Sequence, residues 1–125
     1  MTPAAMLTAA RAVLRDPSPA ASGGWPRMVA VLTRQALEQA LSEFWAAGPD
    51  TAALRHCTRR TQFACLPFYL PVGVAREAEY VWAALSEACH YHAYELAPTA
   101  GELTTWLDAV AGLIESMQAG RADED

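Results

Sequence analysis

The stretch WPRMVAVLTRQALEQALSEFWAAGP, Trp25 to Pro49, decides the fold. Val29, Leu32, Ala36, Ala40 and Phe44 recur at the 3.6-residue period, and Leu37, Leu41 and Trp45 widen that stripe. Arg34, Glu38 and Glu43 fall outside it. Trp25-Pro26 opens the run, because proline in a first helical turn forfeits no hydrogen bond. Gly48-Pro49 closes it near Ala47. A long amphipathic helix needs partners for its apolar face, and the rest of the chain supplies them.

Upstream, Thr2-Pro3 offers a capping hydroxyl and a proline at the first helical position. Met6, Leu7, Ala10, Val13 and Leu14 follow at helical spacing. DPSPAASGG, Asp16 to Gly24, then reads as a loose linker, which makes the first helix an appendage.

Downstream, Asp50 or Thr51 caps a third helix that ends before Pro67, with Leu54, Cys57, Thr61, Ala64 and Cys65 as its apolar line. PFYLPVG, Pro67 to Gly73, is an irregular elbow from which Phe68, Tyr69 and Leu70 plug the core. A fourth helix starts near Val74, with Ala78, Val81, Trp82, Leu85, Cys89 and His92 on its stripe. Pro98 forbids its continuation. Thr99 and Glu102 form a capping box for a fifth helix, whose face is Leu103, Trp106, Leu107, Val110, Ile114 and Met117 and whose end is Gly120. No segment alternates with period two. The expected fold is all-α, an up-down bundle of four core helices plus an N-terminal one.

The chain has 125 residues, 53% of them apolar and 18% charged, which suits one domain with a core of its own. No apolar run is long enough to span a membrane, and the first residues lack the basic start and apolar block of a signal peptide. The expected location is the cytoplasm. The net charge is −5, a poor endowment for general phosphate binding. Every basic residue is arginine, the codon usage of a GC-rich genome. Cys57, Cys65 and Cys89 are odd in number and form no C-x-x-C, so they read as reduced thiols.

The densest chemistry is LSEACHYHAYEL, Leu85 to Leu96. On a helix His92 continues the inner stripe one turn past Cys89, while His90 projects to nearly the opposite side. Cys89 and His92 suit two metal ligands, with His56, Cys57 or Cys65 to complete a set, but no spacing demands one. Neither a metal nor any other cofactor is expected. A cysteine nucleophile needs an exposed thiol, and Cys89 lies on the core stripe. Arg55 and Arg59, with His56 and Arg60, form the one basic surface, suited to an acidic partner, a twin subunit or RNA phosphates.

These segments resemble the HEPN superfamily over about residues 26 to 119. The likeness is carried by TRQALEQALSEFW (Thr33 to Trp45), by a middle helix, and by a late helix ending in His92-Ala93-Tyr94. The resemblance implies a small all-α domain, often dimeric. Many members are metal-independent ribonucleases, frequently toxins paired with a nucleotidyltransferase antitoxin. Their signature is an arginine, four to six residues and a histidine, as in RN-x-x-x-H-x-Y. His92-Ala93-Tyr94 matches its end, but the arginine would fall near Ser86 or Glu87. In the family's chemistry the histidine acts on the ribose 2′-hydroxyl and the arginine steadies the phosphate. A carboxylate at Glu87 repels that phosphate, and losing the cation removes on the order of a few kcal/mol. Arg59 or Arg60 would have to stand in.

The expected function is therefore a non-catalytic, HEPN-like interaction or regulatory module, dimeric, with a possible protein partner. Its cleft would join His90, Tyr91, His92, Tyr94 and Glu95 to Phe68 and Tyr69, and Arg55, Arg59 and Arg60 would form its charged contact surface. The alternatives are a ribonuclease using His92 and Tyr94, and a small-ligand or metal-binding bundle. The expected organisation is an N-terminal helix over 1–15, a linker over 16–24, the bundle over 25–119 and an acidic tail over 120–125.

Overall fold

The computed structural model describes residues 1–17, 24–92 and 94–122. Residues 18–23 of the expected linker, Ala93 and residues 123–125 of the expected tail lie outside the described residues. The fold is all-α: α1 (Pro3–Arg15), α2 (Trp25–Ala47), α3 (Arg59–Cys65), α4 (Val72–Cys89) and α5 (Ala100–Ala122), with short 3₁₀ turns at Ala52–His56 and Leu66–Phe68. There is no strand among the described residues.

α2 is the central rod, and α1, α4 and α5 all pack against it. Its stripe is buried as the period requires: Val29, Ala36, Leu37, Leu41 and Trp45 are inaccessible, while Leu32 is only partly covered. Named contacts give the directions. Trp82 meets Glu38 while Tyr91 meets Arg27, so α4 runs antiparallel to α2. Arg121 reaches Phe44, so α5 ends beside the end of α2.

α1 is no appendage. Thr2 caps it by accepting from the Ala5 amide at 3.1 Å. Leu7 and Ala10 are buried in the common core, and Arg11 pairs with Asp108 of α5 at 2.8 Å. A linker-like composition says nothing about where the helix before it docks.

The expected third helix is broken. The 3₁₀ turn stops at His56, Cys57 is extended, and Thr58 recaps the chain by accepting from the Thr61 amide at 3.2 Å. The break has a cause. The buried Gln62 carboxamide donates to the Leu54 and Cys57 carbonyls, both at 2.9 Å, which a continuous helix would have engaged itself. The inward residues are consequently Gln62, Phe63 and Leu66, whereas Cys57, Thr61 and Ala64 are exposed. Of the elbow residues only Leu70 plugs the core. Phe68 is 83% exposed and Tyr69 39%.

α4 starts at Val72 and ends at Cys89, three residues short of His92. Ala75, Ala78, Val81, Leu85, Ala88 and Cys89 form its buried stripe. In α5 the capping box is reciprocal: Glu102 N–H donates to Thr99 Oγ1, and Thr99 N–H donates to Glu102 Oε1, both at 3.1 Å. Leu113 is buried where Ile114 was expected, and Trp106 is half-exposed. Gly120 does not end α5. It lets Leu70 approach closely, since a Cβ there would stand 2.9 Å from Leu70 Cδ2. No helix of the described residues is long and apolar enough to cross a membrane.

Candidate functional site

α4 has two flanks beside its buried stripe, and they differ in chemistry. On the α2 side lie Trp82, Ser86 and Cys89; on the α5 side lie Tyr80, Ala84 and Glu87.

The first flank is a closed polar seam. Glu38 sits at its centre, accepting from Trp82 Nε1 at 3.2 Å and facing Arg59 Nε at 3.4 Å and Arg34 Nε at 3.8 Å. Arg59 also donates to Gln62 Oε1 at 2.7 Å and to Ser42 at 3.4 Å. Arg59 is therefore a strut between α2 and α3, not part of an exposed contact surface. Arg34 Nε and Ser86 Oγ are buried there without hydrogen-bond partners. Burial pushes the Cys89 thiol above its ordinary value, with Arg34 opposing that shift. A protonated, enclosed thiol is a poor nucleophile.

At the end of this seam Arg27 donates to the Tyr91 carbonyl at 2.9 Å, and its guanidinium lies 4.7 Å from the centre of the Tyr91 ring. His90 caps α4 through an N–H bond to the Glu87 carbonyl at 3.0 Å. Together these contacts turn the chain off the helix. His92 consequently lies exposed in the α4–α5 connection, not on the inner stripe. Its carbonyl accepts from the Glu95 amide at 3.0 Å. Tyr94 and Glu95 are exposed as well. Cys89 and His92 do not share a helical face, and among the described residues no three His, Cys, Asp or Glu side chains gather as a metal set would.

The second flank is an open groove between α4, the connection and α5, with a volume of about 580 Å³. Ala83, Ala84, Ala88 and Trp106 give it an apolar floor, and Tyr80, Tyr91 and Leu96 edge it. Tyr80 is 70% exposed and Leu96 97%. Glu87, Glu95 and Glu102 supply its charge, and none of the described residues that line it is basic. Glu102 is half committed to the capping box. Among the described residues Glu87 and Glu95 have no ion-pair partner.

Of the binding residues expected from the sequence, the groove brings together Tyr91 and Glu95 among the described residues. Phe68 and Tyr69 precede α4, whereas His90 to Glu95 follow it. Eighteen helical residues separate the two groups, about 27 Å. The expected cleft between them does not form, and Tyr69 instead packs edge-on against Trp45 at 5.5 Å. Arg55 donates to its neighbour His56 at 3.2 Å, and Arg60 is exposed. Tyr80, Ala84, Leu96 and Trp106 were not read as site residues. A signal existed: Tyr80, Ala84 and Glu87 recur at spacings of four and three beside the core stripe.

Comparison with known proteins gives no matching family model, no matching curated protein and no matching solved structure. The likeness to the HEPN superfamily rests on the residues quoted for it.

Proposed function

We propose that this chain is a HEPN-like helical module that binds a protein partner and performs no catalysis. The α4–α5 groove carries the reading: an exposed apolar and aromatic floor whose two unpaired carboxylates, Glu87 and Glu95, repel nucleic-acid phosphates. The imidazole of His92 stands exposed on the connection, outside any enclosed site that excludes water from a reaction. In the seam the Glu38 carboxylate is engaged by Arg34, Arg59 and the Trp82 indole.

Dimerisation belongs on a different face. A two-fold contact sets each residue patch against its own copy, and the groove would then oppose carboxylate to carboxylate. The segment from Pro67 to Val74 has no charged residue and exposes Phe68 and Val72, which suits self-contact.

Purified protein incubated with mixed RNA, with and without His92→Ala, tests the absence of catalysis. No cleavage by either is expected. Cleavage by the wild type that the variant loses would overturn the reading. One observation favours the ribonuclease alternative: Arg27, not Arg59 or Arg60, holds a guanidinium one residue from His92. If cleavage occurs, loss of it in Arg27→Ala would assign the missing cation to α2.

A further inference from the structure

We propose that the α4–α5 groove takes a basic amphipathic helix from a partner protein. The inference rests on the interaction-module reading and adds the chemistry of the occupant.

Three features define that occupant. First, the walls are two helices, and a third helix fits between them by ridge-into-groove packing. From Tyr80 to Ala88 the α4 wall runs about 12 Å, roughly two turns. An occupant would therefore offer two or three apolar anchors at i, i+4 and i+7. Second, the α4 wall is small. Ala83, Ala84 and Ala88 carry nothing beyond Cβ, so a partner's backbone can come close while Tyr80, Leu96 and Trp106 enclose its anchors. Third, the charge has one sign. Among the described residues Glu87 and Glu95 are unpaired, Glu102 has one oxygen outside the capping box, and no cation lines the groove. Arginines or lysines flanking the apolar anchors complement these acids, whereas an acidic helix meets like charge. A second copy of this chain is disfavoured by the same sign rule. Among the described residues the exposed arginines Arg15, Arg27, Arg55, Arg60 and Arg76 do not line the groove, so a second copy would have to offer a different patch in a head-to-tail contact.

Two synthetic helical peptides test this against the full chain, labelled with 15N. Both carry leucine at i, i+4 and i+7; one has arginine at the flanking positions and the other glutamate. The arginine peptide should shift the amides of Ala84, Glu87, Glu95 and Glu102. Its affinity should fall about tenfold in the Glu87→Gln/Glu95→Gln double variant. Equal binding of both peptides in the groove would overturn the basic class while leaving an interaction groove standing. Failure of both peptides to move these amides would overturn groove and partner class together. Groove shifts on simple dilution, without peptide, would assign the site to a second copy and overturn the proposal. Ala84→Arg is the second variant: it fills the floor, and arginine-peptide binding that survives it refutes the groove as the site.

Discussion

Replacing Arg121 with methionine should cost about 2 kcal/mol, although the residue lies in what reads as an acidic tail. Arg121 Nε donates to the Phe44 carbonyl at 2.8 Å, and Nη2 donates to Thr51 Oγ1 at 2.9 Å. Its guanidinium also stacks 3.9 Å from the centre of the Phe44 ring. The Phe44 carbonyl belongs to the last turn of α2. The Gly48 amide that would close that turn bonds to the Trp45 carbonyl instead, so Phe44 needs an outside donor. Thr51, itself buried, passes the clamp on by donating to the Trp45 carbonyl at 2.8 Å. Hydrogen bonds to a charged donor contribute roughly 1.5–3 kcal/mol, and a cation over a ring roughly 0.5–2. The side chain is only partly buried and water can replace part of what it donates, so the clamp as a whole is set at one such bond plus the ring contact at their lower ends, about 1.5 plus 0.5 kcal/mol.

For a chain of 125 residues, an unfolding entropy of about 2.1 cal/mol/K per residue makes each kcal/mol about 4 °C in Tm. Arg121→Met should therefore melt about 8 °C below the wild type, by circular dichroism at fixed pH and salt. Thr51→Val should be destabilising too, and the double variant should cost less than the sum by about 1 kcal/mol. Gly48→Ala is a separate probe of the same corner, because a Cβ there would collide with Thr51 Oγ1 and stand 2.9 Å from Arg121 Nη1. A loss under about 2 °C for Arg121→Met, or strict additivity with Thr51→Val, would refute the clamp.

Thr99→Ala removes one side of the capping box of α5 and should cost about 1 kcal/mol in urea unfolding; Glu102→Gln should cost less, because the amide still accepts. Among the thiols, exposed Cys57 should react with a thiol reagent at once, whereas buried Cys89 should wait for unfolding. The raised Cys89 pKa gives a pH effect of definite sign. Below the ordinary thiol value of 9.0 folded and unfolded chains both keep the proton; above it the unfolded chain releases its proton first, so stability falls as pH climbs through the folded value. Cys89→Ala should flatten that alkaline slope, measured by urea midpoints, and an unchanged slope would acquit the thiol. Phe68→Asp should convert any dimer to monomer in sedimentation, and a dimer that persists would place the interface elsewhere.

The bundle was legible because helices are written in period and punctuation. The α2 stripe, the Thr2 and Thr99 caps and the stop at Gly48 are local signals, and each reads the same in the structure. The site was less legible because its decisive contacts are not local. His92 continues the α4 stripe on paper, and nothing within the helix forbids it. What removes it is Arg27, sixty-four residues upstream of Tyr91, which takes a carbonyl just past the helix end. Gln62 breaks the third helix in the same manner, through carbonyls of Leu54 and Cys57 that periodicity cannot see. Arg34 and Glu38 lie outside the apolar stripe, as read, yet are only 24% exposed, because α3 and α4 close over them.

That closure bears on where function lies. A half-buried carboxylate must be paired, since removing one partner strands a charge away from water. Glu38 meets this requirement with Arg34, Arg59 and the Trp82 indole, and the three contacts tie α2, α3 and α4 into one block. The seam is thereby spent on rigidity. Its stiffness nonetheless serves the opposite flank, because Trp82 on the seam and Tyr80 on the groove hang from the same helical turn of α4. A groove whose wall is braced from behind loses little conformational freedom when it is filled, and such preorganisation is what lets a small interface bind. Glu38→Gln should therefore weaken peptide binding in the groove without touching it, and should do so by loosening α4, visible as faster amide exchange from Val81 to Ala88. Unchanged exchange with unchanged binding would separate the two flanks and leave the seam a purely local device.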